Sequence, residues 1–290
     1  MYFMKFLALL FYSLSAFSFD AQITSAIYSD IGQNIQGITQ TNSSWFISNQ
    51  FQIYKIPRDT KLKEKNFYPP ALKNYQKIGI PKKFVEQGYN HFGGISIFRN
   101  YLIVALERKN PMKILFFDQE TLEFEMAYDV PNKLKSLSWV AGSSDKIYFS
   151  ENRINSKHPL YVLDFDTKKL SEIKVNDKLS KIQGGTFSKN SNSLFFSADM
   201  GSRVGGVYQF DLSQKSFHQE VAVAYNSGFP AYLELEGLCF YEENGGDKIT
   251  LLLLDNEYFQ DAFHFIHISD YQFLSDRQIY IDATKLPKVN

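Results

Sequence analysis

The sequence predicts an all-β fold, a five-bladed β-propeller with four-stranded antiparallel blades around a central channel. A short phrase recurs five times, starting near residues 36, 93, 138, 184 and 236, and a period of roughly 40–50 residues with four short strands per unit is typical of propeller blades. The apolar runs are short and separated by turn residues, which excludes helical repeats. The 27 Phe and 18 Tyr favour strands and supply a sizeable core.

Three short strands can be recognised in each repeat. The recurring phrase itself predicts the innermost strand and reads QGITQT, GGISIF, SWVAGS, GGTFSK and EGLCFY. The second strands are SWFISN, YLIVALE, KIYFSE, SLFFSAD and TLLLLD, and the third are FQIYKI, KILFFD, LYVLDFD, GVYQFDL and AFHFIHI. Connections such as Asn190-Ser191-Asn192 are typical of hairpins. Glycines at the inner starts are expected to let backbones approach closely at the axis.

The first 18 residues predict a secretory signal peptide. Lys5 is followed by an apolar stretch from Phe6 to Leu14 and by a small-x-small pattern over residues 16–18. Residues 19–290 would then form one propeller domain, secreted or periplasmic, with no stable membrane anchor after cleavage. An uncleaved anchor is the alternative interpretation.

A propeller ring must close without leaving an unpaired strand edge. Two segments could supply the outer strand of the fifth blade, one from Gln22 to Tyr28 and one near Gln278–Ile281. We predict that the N-terminal segment does so.

The amino-acid composition excludes some kinds of functional site and gives no support for others. The 31 basic and 31 acidic residues balance, which gives no indication of nucleic-acid binding. Cys239 is the only cysteine, so an intrachain disulfide and thiol-based zinc sites are excluded, and its apolar surroundings predict a buried, inert thiol. The sequence also lacks G-x-S-x-G, H-E-x-x-H and P-loop motifs.

Alternating strand directions place the start of each first strand and the end of each second strand on one face, the predicted mouth of the channel. The candidate ligand-binding residues at the first-strand starts are Gln36, His91, Ser138, Gln183 and Glu236. Those at the second-strand ends are Asn49, Glu107, Glu151, Asp199 and Asp255. In one interpretation the acids face a common funnel. In the other, each acid caps its own blade or pairs with a nearby base such as Arg108, Arg153 or Arg203.

Glu236 and His91 have the most distinctive chemistry of this set. A buried carboxylate is costly unless it meets a cation or hydrogen-bond donors, so Glu236 is a candidate metal ligand. Gln36, Ser138 and Gln183 could complete a Ca²⁺ site, since Ca²⁺ takes several oxygen ligands. His91 is a candidate general base, with a structural histidine as the alternative. No other catalytic residue is assigned.

The stretch LEGLCFYEENGGDKITLLLLD resembles the E-G-L blade start of secreted propellers such as the calcium-activated nucleotidases and the esterase-like phytases. In the nucleotidases, five inner strands surround one Ca²⁺ with Ser and Glu. The resemblance implies such a role for Glu236 and Ser138, whereas Gln36, Gly93 and Gly184 depart from the pattern.

Taken together, these features predict a secreted propeller that binds a small polar ligand or a protein partner at its central funnel without catalysis. The alternative is a Ca²⁺-dependent hydrolase of phosphoesters or lactones.

Overall fold

The computed structural model describes residues 21–26, 34–58, 75–107, 109–199, 204–226, 232–243, 246–256, 262–269 and 277–282. The predicted signal peptide, residues 1–18, lies outside these ranges, as do Arg108 and Arg203. Within them, no helix is long and apolar enough to cross a bilayer. A short helix, α1 (Lys82–Val85), follows the first sheet, and every other regular element in the described ranges is a strand.

The strands are short, as the brief apolar runs predict. In chain order the first twelve are β1 (Ala21–Ala26), β2 (Ile35–Gln40), β3 (Ser44–Asn49), β4 (Gln52–Pro57), β5 (Gln76–Gly79), β6 (His91–Phe98), β7 (Tyr101–Glu107), β8 (Lys113–Asp118), β9 (Phe124–Asp129), β10 (Trp139–Gly142), β11 (Lys146–Ser150) and β12 (Arg153–Ile154). The remainder are β13 (Leu160–Asp164), β14 (Leu170–Ile173), β15 (Leu179–Ser180), β16 (Ile182–Ser188), β17 (Ser193–Asp199), β18 (Val204–Asp211), β19 (Ser216–Asn226), β20 (Tyr232–Glu243), β21 (Gly246–Asn256), β22 (Ala262–Ser269) and β23 (Arg277–Asp282).

The large sheets are antiparallel meanders in a propeller arrangement, as predicted. The first has the order β2-β3-β4-β5, the second β6-β7-β8-β9, the third β10-β11-β13-β14 and the fifth β20-β21-β22-β1, each with four strands. The fourth has five strands, β16-β17-β18-β19-β23. The prediction that every blade has four strands is therefore wrong for this sheet. The extra strand, β23, pairs in parallel with residues 221–226 of β19 and so covers an edge that would otherwise be open.

The N-terminal strand forms the outer strand of the fifth sheet. β1 pairs antiparallel with β22, with Ala21 opposite Ile268 and Ala26 opposite Phe263. The prediction that this segment, rather than the C-terminal one, completes the sheet is confirmed. The C-terminal segment becomes β23 instead.

The inner strands lie side by side around an axis. β2 contacts β6, β6 contacts β10, β10 contacts β16, β16 contacts β20, and β20 contacts β2. Glycines permit these approaches: a Cβ on Gly237 would lie 2.9 Å from the Cα of Gly37. A Cβ on Gly185 would lie 2.3 Å from the indole ring of Trp139 in the third sheet. These distances agree with the prediction that the glycines let neighbouring inner strands approach closely.

The hydrophobic core lies between neighbouring sheets. Each of five apolar clusters combines residues from two adjacent sheets, for example Phe98 with Phe149 or Trp139 with Phe196. The cluster between the fifth and first sheets contains Cys239, which is 1% exposed. The predicted burial of Cys239 is thus confirmed. Burial raises the pKa of this thiol to about 12, which supports the prediction that the thiol is inert.

Candidate functional site at the mouth of the channel

Three of the predicted mouth residues, Gln36, Gln183 and Glu236, lie at irregularities of the inner strands. The antiparallel register shifts between Ile35 and Gly37 in β2, across Gly93 and Gly94 in β6, between Ile182 and Gly184 in β16, and across Glu236 and Gly237 in β20. Bulges of this kind re-aim side chains and strengthen twist. Gln36, Gln183 and Glu236 are thus themselves bulge residues. The polar-Gly or Gly-Gly pairs are the sequence signal for these bulges.

Gln36, His91 and Glu107 are brought together at the first two sheets. His91 Nε2 lies 3.1 Å from Gln36 Oε1, a hydrogen bond between β6 and β2. His91 is also the cross-strand partner of Glu107, and a Cβ on Gly93 would be only 3.1 Å from Glu107 Oε1. An imidazole, an amide and a carboxylate therefore share this part of the mouth, and His91 is buried, at 7% exposure of the whole residue.

Serine hydroxyl groups join neighbouring sheets at the same level. Ser138 Oγ donates to the carbonyl of Ile182 over 2.9 Å, so this predicted mouth residue links the third sheet to the fourth. Ser48 Oγ donates to the Gly93 carbonyl at 3.0 Å, and Ser197 Oγ donates to the Glu236 carbonyl at 2.8 Å. These links were not predicted, although Ser48 and Ser197 occupy equivalent positions in the repeats.

Glu236 is a buried acid on the inner strand β20, at 4% exposure. In the part of the chain that the structure describes, no three His, Cys, Asp or Glu side chains cluster as metal ligands would. Ca²⁺ takes about six to eight oxygen ligands, and its affinity rises with their charge. Glu236 is the one carboxylate among the five predicted first-strand residues, so the described inner-strand residues fit the expected Ca²⁺ site poorly. No reaction step is derived through such an ion.

The predicted residues at the second-strand ends have different structural roles in different sheets. Asn49 Oδ1 accepts hydrogen bonds from the backbone N–H groups of Phe51 and Gln52 at 2.9 and 2.7 Å, and this Asx-turn links β3 to β4. Asp199 and Asp255 lie at or next to the ends of β17 and β21, as predicted, but their side chains are outside the described part of the structure.

Glu151 lies away from the axis and ties two connections of the third sheet together. Its carboxylate is buried, and Oε1 accepts the backbone N–H of Lys135 at 2.9 Å. Oε2 lies 2.8 Å from His158 Nδ1 and 3.9 Å from Arg153 Nε. The predicted local pairing with Arg153 is thus present, while His158 is the closer partner.

A cavity of about 270 Å³ opens beside Glu151, on the mouth side of the third sheet. Its walls come from the β9–β10 connection, the β11–β13 connection and β14. The lining residues with charged or ionisable groups are Lys133, Lys135, Glu151, Lys157, His158, Tyr161, Glu172 and Lys174. Sequence reasoning missed this cavity, because its lysines are scattered along the chain and only the sheet topology brings them together.

Comparison with known proteins does not assign the chain to a family. No known family and no curated protein matches its sequence. Solved structures with similar architecture include the extracellular domain of the one-component system BT4673 of B. thetaiotaomicron, at 12% identity and a TM-score of 0.41 over 81% of this chain and 28% of that one. The Dos1 propeller has 12% identity and a TM-score of 0.41, covering 80% and 68%. The hydrazine synthase of Kuenenia stuttgartiensis has 10% identity and a TM-score of 0.44, covering 81% and 66%. Likenesses at this level carry no argument about function.

Proposed function

We propose that the protein is a secreted or periplasmic five-bladed propeller that binds a small polar ligand at the mouth of its channel without catalysing a reaction. The observation that carries the proposal is the hydrogen bond between His91 and Gln36, with Glu107 opposite His91 in the sheet. Residues from two blades thereby present donors and acceptors at one place.

A ring of five blades is supported by the packing between sheets. Each hydrophobic cluster joins a different pair of neighbouring sheets, and the cluster of Cys239 and Leu252 with Ile38 and Ile47 joins the fifth to the first. With β20 also touching β2, we infer a closed ring in which the five-stranded sheet is a blade with one added strand.

Binding without turnover is supported by the bonding of the candidate reactive groups. An amide oxygen can only accept, so His91 Nε2 donates to Gln36, and this nitrogen does not act as a base while the bond persists. The hydroxyl groups of Ser48, Ser138 and Ser197 donate to carbonyls of the next sheet rather than to a histidine. Among the residues that the structure describes, none of these hydroxyl groups has the base partner that an activated nucleophile requires.

A ligand screen with matched variants tests this proposal. Monosaccharides, amino acids and dicarboxylates would be screened by thermal shift on the wild type, Gln36→Ala and, as a control, His218→Ala on the exposed part of β19. We expect to find a compound that raises the melting temperature of the wild type and of the control. For Gln36→Ala, the concentration of this compound needed for the same rise should be at least tenfold higher. Equal effects on all three proteins, or no active compound, would refute axial binding.

A Ca²⁺ titration distinguishes the alternative of a metal-dependent hydrolase. If Glu236 holds Ca²⁺ at the axis, the ion raises the melting temperature of the wild type but not of Glu236→Gln, and it promotes hydrolysis of a phosphoester or lactone. We expect neither effect, because Glu236 is the one carboxylate among the five predicted first-strand residues and the affinity for Ca²⁺ rises with the charge of its ligands.

A further inference from the structure

We propose that the cavity of the third sheet is a second binding site, independent of the axial one, for small hydroxylated anions. The expected ligands carry one oxyanion group beside several hydroxyl groups, as sugar acids and sugar phosphates do. Three features of the cavity lead to this ligand class: its charge, the fixed geometry of its walls and its mixture of donors and acceptors.

The cavity is positively charged. Four lysines and two glutamates line it. Lys133 pairs with Glu172, and this hydrogen bond is the main cause that raises the pKa of Lys133. Lys135, Lys157 and Lys174 also line the cavity, and none of them forms an ion pair with any residue that the structure describes. Three ammonium groups around one recess favour an oxyanion, because charge-assisted hydrogen bonds to ionised oxygens are the strong ones.

The walls are held in place before a ligand arrives. The buried Glu151 carboxylate fixes Lys135 in one wall and His158 in the other. Asn155 Oδ1 accepts the backbone N–H groups of Lys157 and His158 at 2.8 and 3.1 Å, which rigidifies the connection between β12 and β13. Binding to a prearranged site loses less conformational entropy.

The cavity side chains other than the lysines can form hydrogen bonds with the hydroxyl groups of a ligand, which a bare ion lacks. Because Nδ1 of His158 faces Glu151, Nε2 is the ring nitrogen left for a ligand. Ser156 and the carboxylates add donors and acceptors to the lysines. At about 270 Å³, the cavity is close to the lower end of the roughly 300–1,000 Å³ range of small-molecule sites.

Calorimetry on the full chain tests the site with four probes: glucose 6-phosphate, glucuronate, glucose and inorganic phosphate. The variant Lys135→Gln/Lys157→Gln removes two exposed ammonium groups, and Lys189→Gln, in the exposed turn between β16 and β17, is the matched control. We expect at least one of the two anionic sugars to bind the wild type and the control equally. We expect its binding to weaken at least tenfold in the double variant, and glucose and phosphate to bind at least tenfold more weakly than it does.

Absence of binding by both anionic sugars, or equal binding by the double variant and the control, would overturn the site. Inorganic phosphate binding as tightly as glucose 6-phosphate would overturn the ligand class. This test is independent of the test of the proposed axial site. Gln36→Ala changes the axial site and is expected to leave binding of the anionic sugars unchanged.

Discussion

His91 Nε2 and Gln36 Oε1 lie 3.1 Å apart and connect the inner strands of two sheets. Gln36 is the bulge residue of β2, and His91 lies two residues before the bulge of β6. The bond links positions that are 55 residues apart in the chain. It also fixes the imidazole, because the amide oxygen is an acceptor only.

A double-mutant cycle is expected to show that this bond couples the two sheets. Gln36→Ala and His91→Ala should each destabilise the protein, and the double variant should lose about 0.5–1.5 kcal/mol less than the sum of the two, the net worth of one hydrogen bond. Urea denaturation of the four proteins measures the coupling. Strictly additive losses would mean that the bond contributes nothing to stability.

Gly237→Ala is expected to destabilise the contact between the fifth and first sheets. The new Cβ would lie 2.9 Å from both Gly37 Cα and Ile38 N, which are backbone atoms and cannot rotate away. Overpacking of this kind costs about 1–3 kcal/mol, measurable by urea denaturation.

Gly79→Ala is the matched control for that substitution, since the nearest atom to its Cβ would be the Phe51 carbonyl oxygen at 3.6 Å. We expect it to be neutral or slightly stabilising. Similar losses for both variants would show that β20 and β2 do not meet closely at the axis.

The sequence predicts local features well and non-local ones poorly. Alternating apolar runs and hairpin turns are local, so the strands of each sheet and the close-packed glycines such as Gly237 could be predicted. The pairing of β23 with β19 joins segments 56 residues apart, since Val221 lies opposite Arg277, and nothing in either strand specifies its partner. The cavity beside Glu151 was missed for the same reason, because Lys135 and Lys174 meet only after the third sheet has folded.

Removal of β1 is expected to expose the edge of β22 and to cause association. A chain beginning at residue 27 lacks all six residues that pair with β22, whereas a chain beginning at residue 19 retains them. Unpaired edges recruit other strands. Analytical ultracentrifugation and thermal melts should show a lower melting temperature and concentration-dependent oligomers for the shorter chain alone. If the two chains behave alike, the pairing of β1 is dispensable.

Cys239 is expected to make stability depend on pH above neutrality. Burial raises the pKa of its thiol from 9.0 to about 12 in the folded state. In the unfolded chain the thiol loses its proton above about pH 9, so between the two values the unfolded state binds fewer protons and the free energy of unfolding falls as pH rises. The stabilisation is fully present below pH 9 and is lost progressively towards pH 12.

Cys239→Ala isolates this effect, because tyrosines with raised pKa values such as Tyr148 and Tyr208 titrate equally in both proteins. The difference in the free energy of unfolding between wild type and variant, measured by urea denaturation at pH 8 and pH 10, should shrink as pH rises. The same burial predicts that a maleimide labels Cys239 only in denaturant. A pH-independent difference together with rapid labelling of the native protein would place the thiol in contact with solvent, contrary to its position between the first and fifth sheets.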